Sequence, residues 1–374
     1  MDIISLTIHT VFWVLGFFFL FRIPRCQGST IRRKAYPSVS IVIPARNEEN
    51  ALPILLSSLR NQSFTPDEII VVVGQSEDKT KHIAEKEGVI VIEPDPYPEG
   101  WIGKPWACYR GAKVAKGKIV IFLDADTFLE KDGLKRILDT YLNKDGVISI
   151  QPYHRTRQLY EQLSAFFNVI EMGAMGTFTV AGSLIKPIGL FGPCIVMRKE
   201  TYWNTGGHNE VKGEIAEDII LGERLKQQNI PIYCYGGKST ISFRMYPNGI
   251  RELIDGWSRG FAIGAAKTPL PLLLAIIAWF GGGVGATIYL IEAILNVSNV
   301  LIFSWASLYL FYIIQIYWMT ARVGTFKFYT ALFYLVPMIF FVAIFCYSAF
   351  LIFVNKSVRW KGRTISLRNR KPTK

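Results

Sequence analysis

Asp124 and Asp126 stand one residue apart directly after Lys118-Ile119-Val120-Ile121-Phe122-Leu123, an apolar run of strand length. In an open α/β sheet ligands bind outside the carboxyl ends of strands, so the pair is delivered to the rim of a crevice, where the strand itself has no use for it. Two carboxylates this close repel unless a proton or a cation lies between them, and hard divalent ions take oxygen ligands together with substrate phosphates. The predicted chemistry is a Mg²⁺ or Mn²⁺ ion holding a diphosphate. The plainer alternative is a solvated loop after a strand.

A second acidic pair, Glu217-Asp218, opens a helical pattern running to Gln227. Acids in a first turn are explained by the helix dipole alone. A carboxylate there that faced the same crevice would also serve as a general base, taking a proton from an acceptor hydroxyl or acid. Gly103-Lys104 precedes another helix, but Pro105 comes directly after the lysine and the phosphate-loop pattern is incomplete, which excludes a nucleotide-triphosphate hydrolase of that type. Lys104 remains either a cation for a diphosphate or a solvated loop lysine.

The elements that must carry these groups show an α/β alternation. Ser38 to Ile43, Glu68 to Val73, Val89 to Ile92, the run ending at Leu123, Val147 to Gln151, Pro231 to Tyr235 and Ile241 to Tyr246 read as strands. Ala51 to Arg60, Lys79 to Glu87, Leu134 to Leu142 and Lys199 to Trp203 read as helices between them. Such an alternation predicts a mostly parallel, Rossmann-like sheet covered on both faces.

The ends of the chain have a different character. Half of the 374 residues are hydrophobic and 14% are aromatic, and the mean hydropathy of +0.26 is too high for an ordinary soluble enzyme. Ile3 to Phe21, Leu270 to Leu295, Val300 to Thr320 and Phe328 to Val354 each approach or exceed the ~20 apolar residues a spanning helix needs. Leu159 to Leu184, interrupted by Glu161, Glu171 and glycines, is expected to lie in the interface instead. Arg22, Arg25, Arg32, Arg33 and Lys34 come directly after the first apolar stretch, which places the α/β region on the cytoplasmic side. The net charge of +13 suits an anionic leaflet, and no nucleic-acid motif accompanies it. Five scattered cysteines and four dispersed histidines predict a reduced compartment and no zinc site.

These residues divide the chain into a transmembrane helix (1–21), a basic juxtamembrane linker (22–36), a catalytic domain (37–248), an interfacial amphipathic helix (249–268), a transmembrane region of two or three spans (269–354) and a basic tail (355–374). The tail carries eight basic residues and no acid, and so should be cytoplasmic. One leading and three trailing spans would put it outside, so one apolar segment is expected to be re-entrant or interfacial.

Ile43-Pro44-Ala45-Arg46-Asn47-Glu48-Glu49, Ser76-Glu77-Asp78-Lys79-Thr80, Phe122-Leu123-Asp124-Ala125-Asp126 and Ala216-Glu217-Asp218-Ile219-Ile220-Leu221-Gly222, in this order, resemble the motifs of family 2 glycosyltransferases with the GT-A fold. Within that family, Gln151-Pro152-Tyr153-His154, Tyr202-Trp203-Asn204-Thr205-Gly206-Gly207-His208, Phe243-Arg244-Met245-Tyr246, Gly256-Trp257 and Trp360-Lys361-Gly362-Arg363 resemble members that glucosylate a C30 carotenoid acid. The resemblance implies a cell-membrane, multi-pass enzyme with a cytoplasmic catalytic domain. It would make an inverting transfer from a nucleotide-diphosphate sugar, UDP-glucose, to a lipid-soluble acceptor. It implies Asp126 as metal ligand, Asp124 on metal or ribose, and Asp218 as the base with Glu217 beside it. Pro44, Ala45, Glu48, Asp78 and Lys104 would border the donor, and His154, Gly207, His208, Trp257 and Arg259 would lie toward acceptor or product. Two departures stand out. Val73 and Gly74 occupy places where the family carries aspartates, and the Gln-x-x-Arg-Trp of processive synthases is eroded to Leu253-Ile254-Asp255-Gly256-Trp257, which favours a single sugar transfer. A polysaccharide or glycolipid synthase and an inactive membrane scaffold are the competing readings.

Overall fold

A computed structural model describes residues 2–28, 35–93, 96–214, 216–259, 261–354, 357–360 and 363–366. Arg32, Arg33 and Lys34 of the basic linker, Lys361-Gly362 of the terminal motif and much of the basic tail lie outside the described residues. The chain divides into two compact units, one of Pro24–His154 with Pro187–Arg244, the other of Met1–Ile23, Arg155–Lys186 and Met245–Lys374.

Among the described residues the first unit is built on ten strands: β1 (Val39–Ala45), β2 (Glu68–Val73), β3 (Ile90–Ile92), β4 (Ile119–Leu123), β5 (Thr127–Leu129), β6 (Val147–Gln151), β7 (Tyr153–His154), β8 (Cys194–Arg198), β9 (Ile232–Gly236) and β10 (Ile241–Phe243). Seven form the main sheet in the order β3-β2-β1-β4-β8-β6-β9, and β5, β10 and β7 form a small second sheet. All main-sheet pairs are parallel except those of β8, which runs antiparallel to both β4 and β6. The chain leaves β1 toward β2 on one side and β4 lies on the other, so the strand order reverses between β1 and β4. That reversal opens a crevice at their carboxyl ends.

Alternation along the strands explains why the sheet is apolar throughout. Ile41, Ile43, Ile121 and Leu123 pack on one face with Leu52, Leu55 and Leu56 of the helix Leu52–Arg60 and Ile137 and Leu138 of the helix Gly133–Tyr141. Val42, Val72, Val120 and Phe122 pack on the other with Ala107, Cys108 and Ala112 of the helix Gly103–Val114 and Leu221 and Leu225 of the helix Glu217–Gln227. With both faces covered, a strand has no polar side to show.

In the second unit three helices, Leu270–Leu295, Asn299–Val323 and Leu335–Val354, are long and apolar enough to cross a membrane, and the leading apolar helix Ile3–Phe19 is shorter. The expected span Phe328 to Val354 is split: Phe328–Leu332 is a separate short helix and a new one starts at Leu335. Pro337 therefore falls in a first turn, where its missing N–H breaks no helical bond. Gly282 receives Phe12 and Tyr312, and Gly285 receives the His9 ring, so close at both that a Cβ could not be accommodated. Leu159 to Leu184 differs from the expectation of an interfacial helix. It forms a 3₁₀ turn, Tyr160–Ser164, running into a short helix, Ala165–Ala174, with Phe166, Phe167, Val169, Ile170 and Met172 all buried, and a second 3₁₀ turn at Gly182–Leu184. Glu161 is fully buried too, and its carboxylate accepts the backbone N–H of Arg157 and Gln158 (3.2 Å for the latter). A charge that looks costly in sequence thus satisfies backbone donors at a helix start.

Candidate active site

The Asp124-Ala125-Asp126 turn is fixed from both sides. Asp124 N–H donates to Pro193 O at 2.9 Å, and the Thr127 hydroxyl and N–H donate to Asp124 O at 2.8 and 3.1 Å. Ala125 is buried, so the half-buried carboxylates flanking it turn away from the core.

The helix Gly103–Val114 brings Lys104 to this turn from its first turn. Lys104 Nζ lies 2.8 Å from Asp124 Oδ1 and 2.9 Å from Oδ2, 3.5 Å from Glu217 Oε1 and 3.5 Å from Gly192 O. The helix Glu217–Gln227 supplies the remaining acids at its first turn. Asp218 Oδ2 accepts Gly192 N–H at 3.0 Å, and Oδ1 accepts the N–H of Ile219 at 2.9 Å. Gly192 lies between the two chemistries: a Cβ there would meet Asp218 Oδ2 at 2.9 Å and Lys104 Nζ at 3.0 Å. The helix itself is seated by Gly222, whose missing side chain lets it approach the backbone of Gly189.

The electrostatics arise from three acids around one base. Burial pushes the Glu217 carboxyl up to about 7, with Lys104 pulling against it and Asp218 adding to it. Burial also raises Asp218, against Lys104 and the Ile219 N–H. For Lys104, burial opposes the charge, but Asp124 and Glu217 outweigh it and hold the ammonium well above its ordinary range. A carboxyl raised by burial toward the operating pH suits proton transfer.

Among the described residues no cluster of three or more His, Cys, Asp or Glu forms a complete protein cage for a metal. Mg²⁺ and Mn²⁺ do not need one: one or two carboxylates plus substrate phosphates and water suffice. The donor set fits such an ion. Asp124 and Asp126 offer hard carboxylate oxygens after the end of β4, and the acidic cluster already draws a cation, the Lys104 ammonium, onto Asp124.

The other anticipated residues fall in several places. Pro44 and Ala45 end β1, next to the crevice. Asp78 serves the loops: its Oδ2 accepts the N–H of Glu49 at 3.0 Å and its Oδ1 the N–H of Thr80 at 3.0 Å. Glu48 N–H reaches Thr80 Oγ1 at 2.8 Å, and Asn47, held at φ 52°, accepts from Glu77 N–H at 2.9 Å. These bonds staple the loop after β1 to the loop after β2. His208 and its neighbour Gly207 lie in the core; the His208 ring is 5.0 Å from Phe122 and its Nδ1 is 3.1 Å from the Tyr202 hydroxyl. His154 is buried in β7 against Phe243. Trp257 belongs to the other unit, stacked on Phe167 at 4.6 Å with its Nε1–H donating to Ser164 Oγ at 3.0 Å; Arg259 stands two residues later there. Gly192 has no side chain for a sequence motif to mark. Its only signal was Phe191-Gly192-Pro193, a turn before a strand.

A strand-end acidic pair and a helix-borne acidic pair, meeting around Lys104 over a mostly parallel sheet with one antiparallel strand, mark the candidate active site of an α/β protein. Residues 40–204 match the Glycosyl transferase family 2 model. Over 336 residues, 89% of this chain and 89% of the relative, the sequence is 33% identical to the 4,4'-diaponeurosporenoate glycosyltransferase of Staphylococcus aureus strain USA300, and it is 32% identical over the same length to that of strain MRSA252. In fold the chain is similar to the mannosyltransferase PcManGT from Pyrobaculum calidifontis, solved in complex with GDP-Man and Mn²⁺. That likeness covers 91% of this chain and 95% of the other, at a TM-score of 0.55 and 15% identity. The chain belongs to glycosyltransferase family 2 and is a glycosyltransferase with a GT-A-like catalytic fold.

Proposed function

We propose that the enzyme moves one glucose from UDP-glucose to a lipid-soluble acid, a C30 carotenoid acid of the 4,4'-diaponeurosporenoate type, at the cytoplasmic face of the cell membrane. The observation that carries the reading is the gathering of Asp124, Glu217 and Asp218 around Lys104 at the end of β4. The relatives named for diaponeurosporenoate support the acceptor, and three helices of spanning length support the membrane setting.

In this reading Asp126 and Asp124 would hold a Mg²⁺ or Mn²⁺ ion, which when bound neutralises charge on the departing diphosphate. Lys104 would add a second positive group toward the same oxygens, a contribution of the oxyanion-stabilising kind. Asp218 accepts the acceptor's proton; its two backbone hydrogen bonds fix where the carboxylate points. A carboxylic acid in apolar surroundings keeps its proton because burial disfavours the anion, so a base is needed even for an acid acceptor. Pro44, Ala45 and Glu48 border the nucleotide, with Asp78 holding their loop in place.

The test is a membrane assay with labelled UDP-glucose and Mn²⁺, in which a C30 carotenoid acid, ceramide and diacylglycerol are offered separately. Label should enter the carotenoid fraction and should fall at least ~100-fold in Asp126→Asn while membrane content of the protein stays unchanged. Label in ceramide or diacylglycerol alone would overturn the acceptor, and transfer by Asp126→Asn at the parental rate would overturn the metal assignment.

A further inference from the structure

Tyr97, in the loop between β3 and the helix Gly103–Val114, carries a buried hydroxyl for which no hydrogen-bond partner exists among the described residues. The atom is not lost in an apolar core. It faces Gly74, the residue directly after β2, where a Cβ would stand 3.3 Å from the hydroxyl and 4.0 Å from Ala45 O. Gly74 N–H donates to Ala45 O at 2.9 Å, so Gly74, Ala45 and the Tyr97 hydroxyl form one corner at the carboxyl ends of β1 and β2. Gln75, immediately after, is held at φ 46°, and this turns the chain sharply away from the corner.

An unpaired buried hydroxyl is costly, so a group in that state invites a ligand-based explanation. The place of the corner in the sheet says which ligand. β2 is two strands from β4 in the order β2-β1-β4, which at ~4.8 Å per strand spacing sets the corner about 10 Å from the carboxylates of Asp124 and Asp126 along the sheet edge. A donor whose diphosphate sits at the end of β4 and which lies across the strand ends toward β2 brings its base to this corner. The absence of a side chain at Gly74 leaves room for the phenol at this corner.

We propose, resting on the donor reading above, that Tyr97 reads the base of the nucleoside diphosphate: its hydroxyl hydrogen-bonds the polar edge of the base over Gly74. It is a specificity residue of the donor site and touches none of the reacting atoms. Tyr97→Phe removes only the hydroxyl, and Gly74→Ala crowds it at 3.3 Å while keeping the strand.

The experiment measures UDP and GDP binding with Mn²⁺ by calorimetry on detergent-solubilised full-length protein, alongside steady-state transfer. Tyr97→Phe and Gly74→Ala should each weaken binding of the preferred nucleotide about three- to tenfold, the worth of one neutral hydrogen bond. The UDP-to-GDP preference should narrow, and kcat should hold while the donor KM rises. Parental UDP affinity and preference in Tyr97→Phe would overturn the assignment of Tyr97 alone, since the wild type would still bind a nucleotide. Absence of UDP and GDP binding by the wild type would overturn the donor reading and this inference with it. A fall in kcat at unchanged donor KM would place Tyr97 at the reacting centre and also overturn the proposal.

Discussion

Lys104 Nζ is within 2.9 Å of both carboxylate oxygens of Asp124, so the first turn of one helix is clamped to the tip of β4 by a single cation. Glu217 stands on its other side at 3.5 Å. The lysine side chain is 27% accessible, Asp124 25% and Glu217 12%, so the cluster is enclosed enough for its charges to feel one another and open enough to admit a phosphate.

Lys104→Met keeps the aliphatic stem and removes the charge. Glu217 then loses the cation that pulls against its burial, and its carboxyl is pushed further up. The donor KM should rise on the order of 10-fold or more, the loss of a charge-assisted contact. The acid limb of the rate profile should also move to higher pH, because removing a positive neighbour raises the carboxyls further. Steady-state kinetics from about pH 5 to 9 would check both, and an unmoved acid limb would count against Lys104 as the group that keeps these acids ionised.

Asp218→Asn preserves size and leaves Oδ1 able to accept from Ile219. Loss of a general base should reduce kcat by about 10²- to 10⁴-fold while UDP binding stays within about twofold of parental. Comparable losses in both would contradict the assignment of Asp218 to proton transfer.

His208 gives a pH signature in stability. Burial, reinforced by Lys104, pushes its imidazole down to about 3 from an ordinary 6.5, so the unfolded chain binds a proton in this window that the folded chain does not. Stability from this group is complete above about pH 6.5 and is lost as pH falls toward 3, at about 1.4 kcal/mol per pH unit. Glu217 acts with the opposite sign: its raised carboxyl contributes stability below its unfolded value that is lost as pH rises through about 7. The two oppose each other between about pH 4.5 and 6.5, where wild-type stability should vary little. In His208→Gln the trend of Glu217, joined in direction by the raised Asp218, is no longer opposed by His208, and denaturant midpoints should increase as pH is lowered through that window. Parallel curves for the two proteins would show that His208 titrates normally.

The match between sequence pattern and structure is uneven for physical reasons. Strand runs such as Glu68 to Val73 were legible because both faces of the sheet are buried, which writes a continuous apolar run flanked by turn residues. The breaks in the last apolar stretch and the burial of the helix Ala165–Ala174 were not, because an apolar segment reads alike whether it meets lipid or other side chains. Asp78 and His208 have the residue types of ligand-binding groups, yet one staples two loops and the other fills a core.

By itself the sequence determined the α/β class, the order of the acidic pairs and their delivery to strand and helix ends, since alternation, helix starts and strand ends are local properties of the chain. It also placed the long apolar stretches, which depends on composition alone. Only the tertiary structure decided that Lys104, twenty residues before Asp124 and more than a hundred before Glu217, stands between them, and that Gly192 must lack a side chain for Asp218 to approach. Those relations arise where β4, β8 and two helix starts converge, and packing across that distance leaves no periodicity in the sequence.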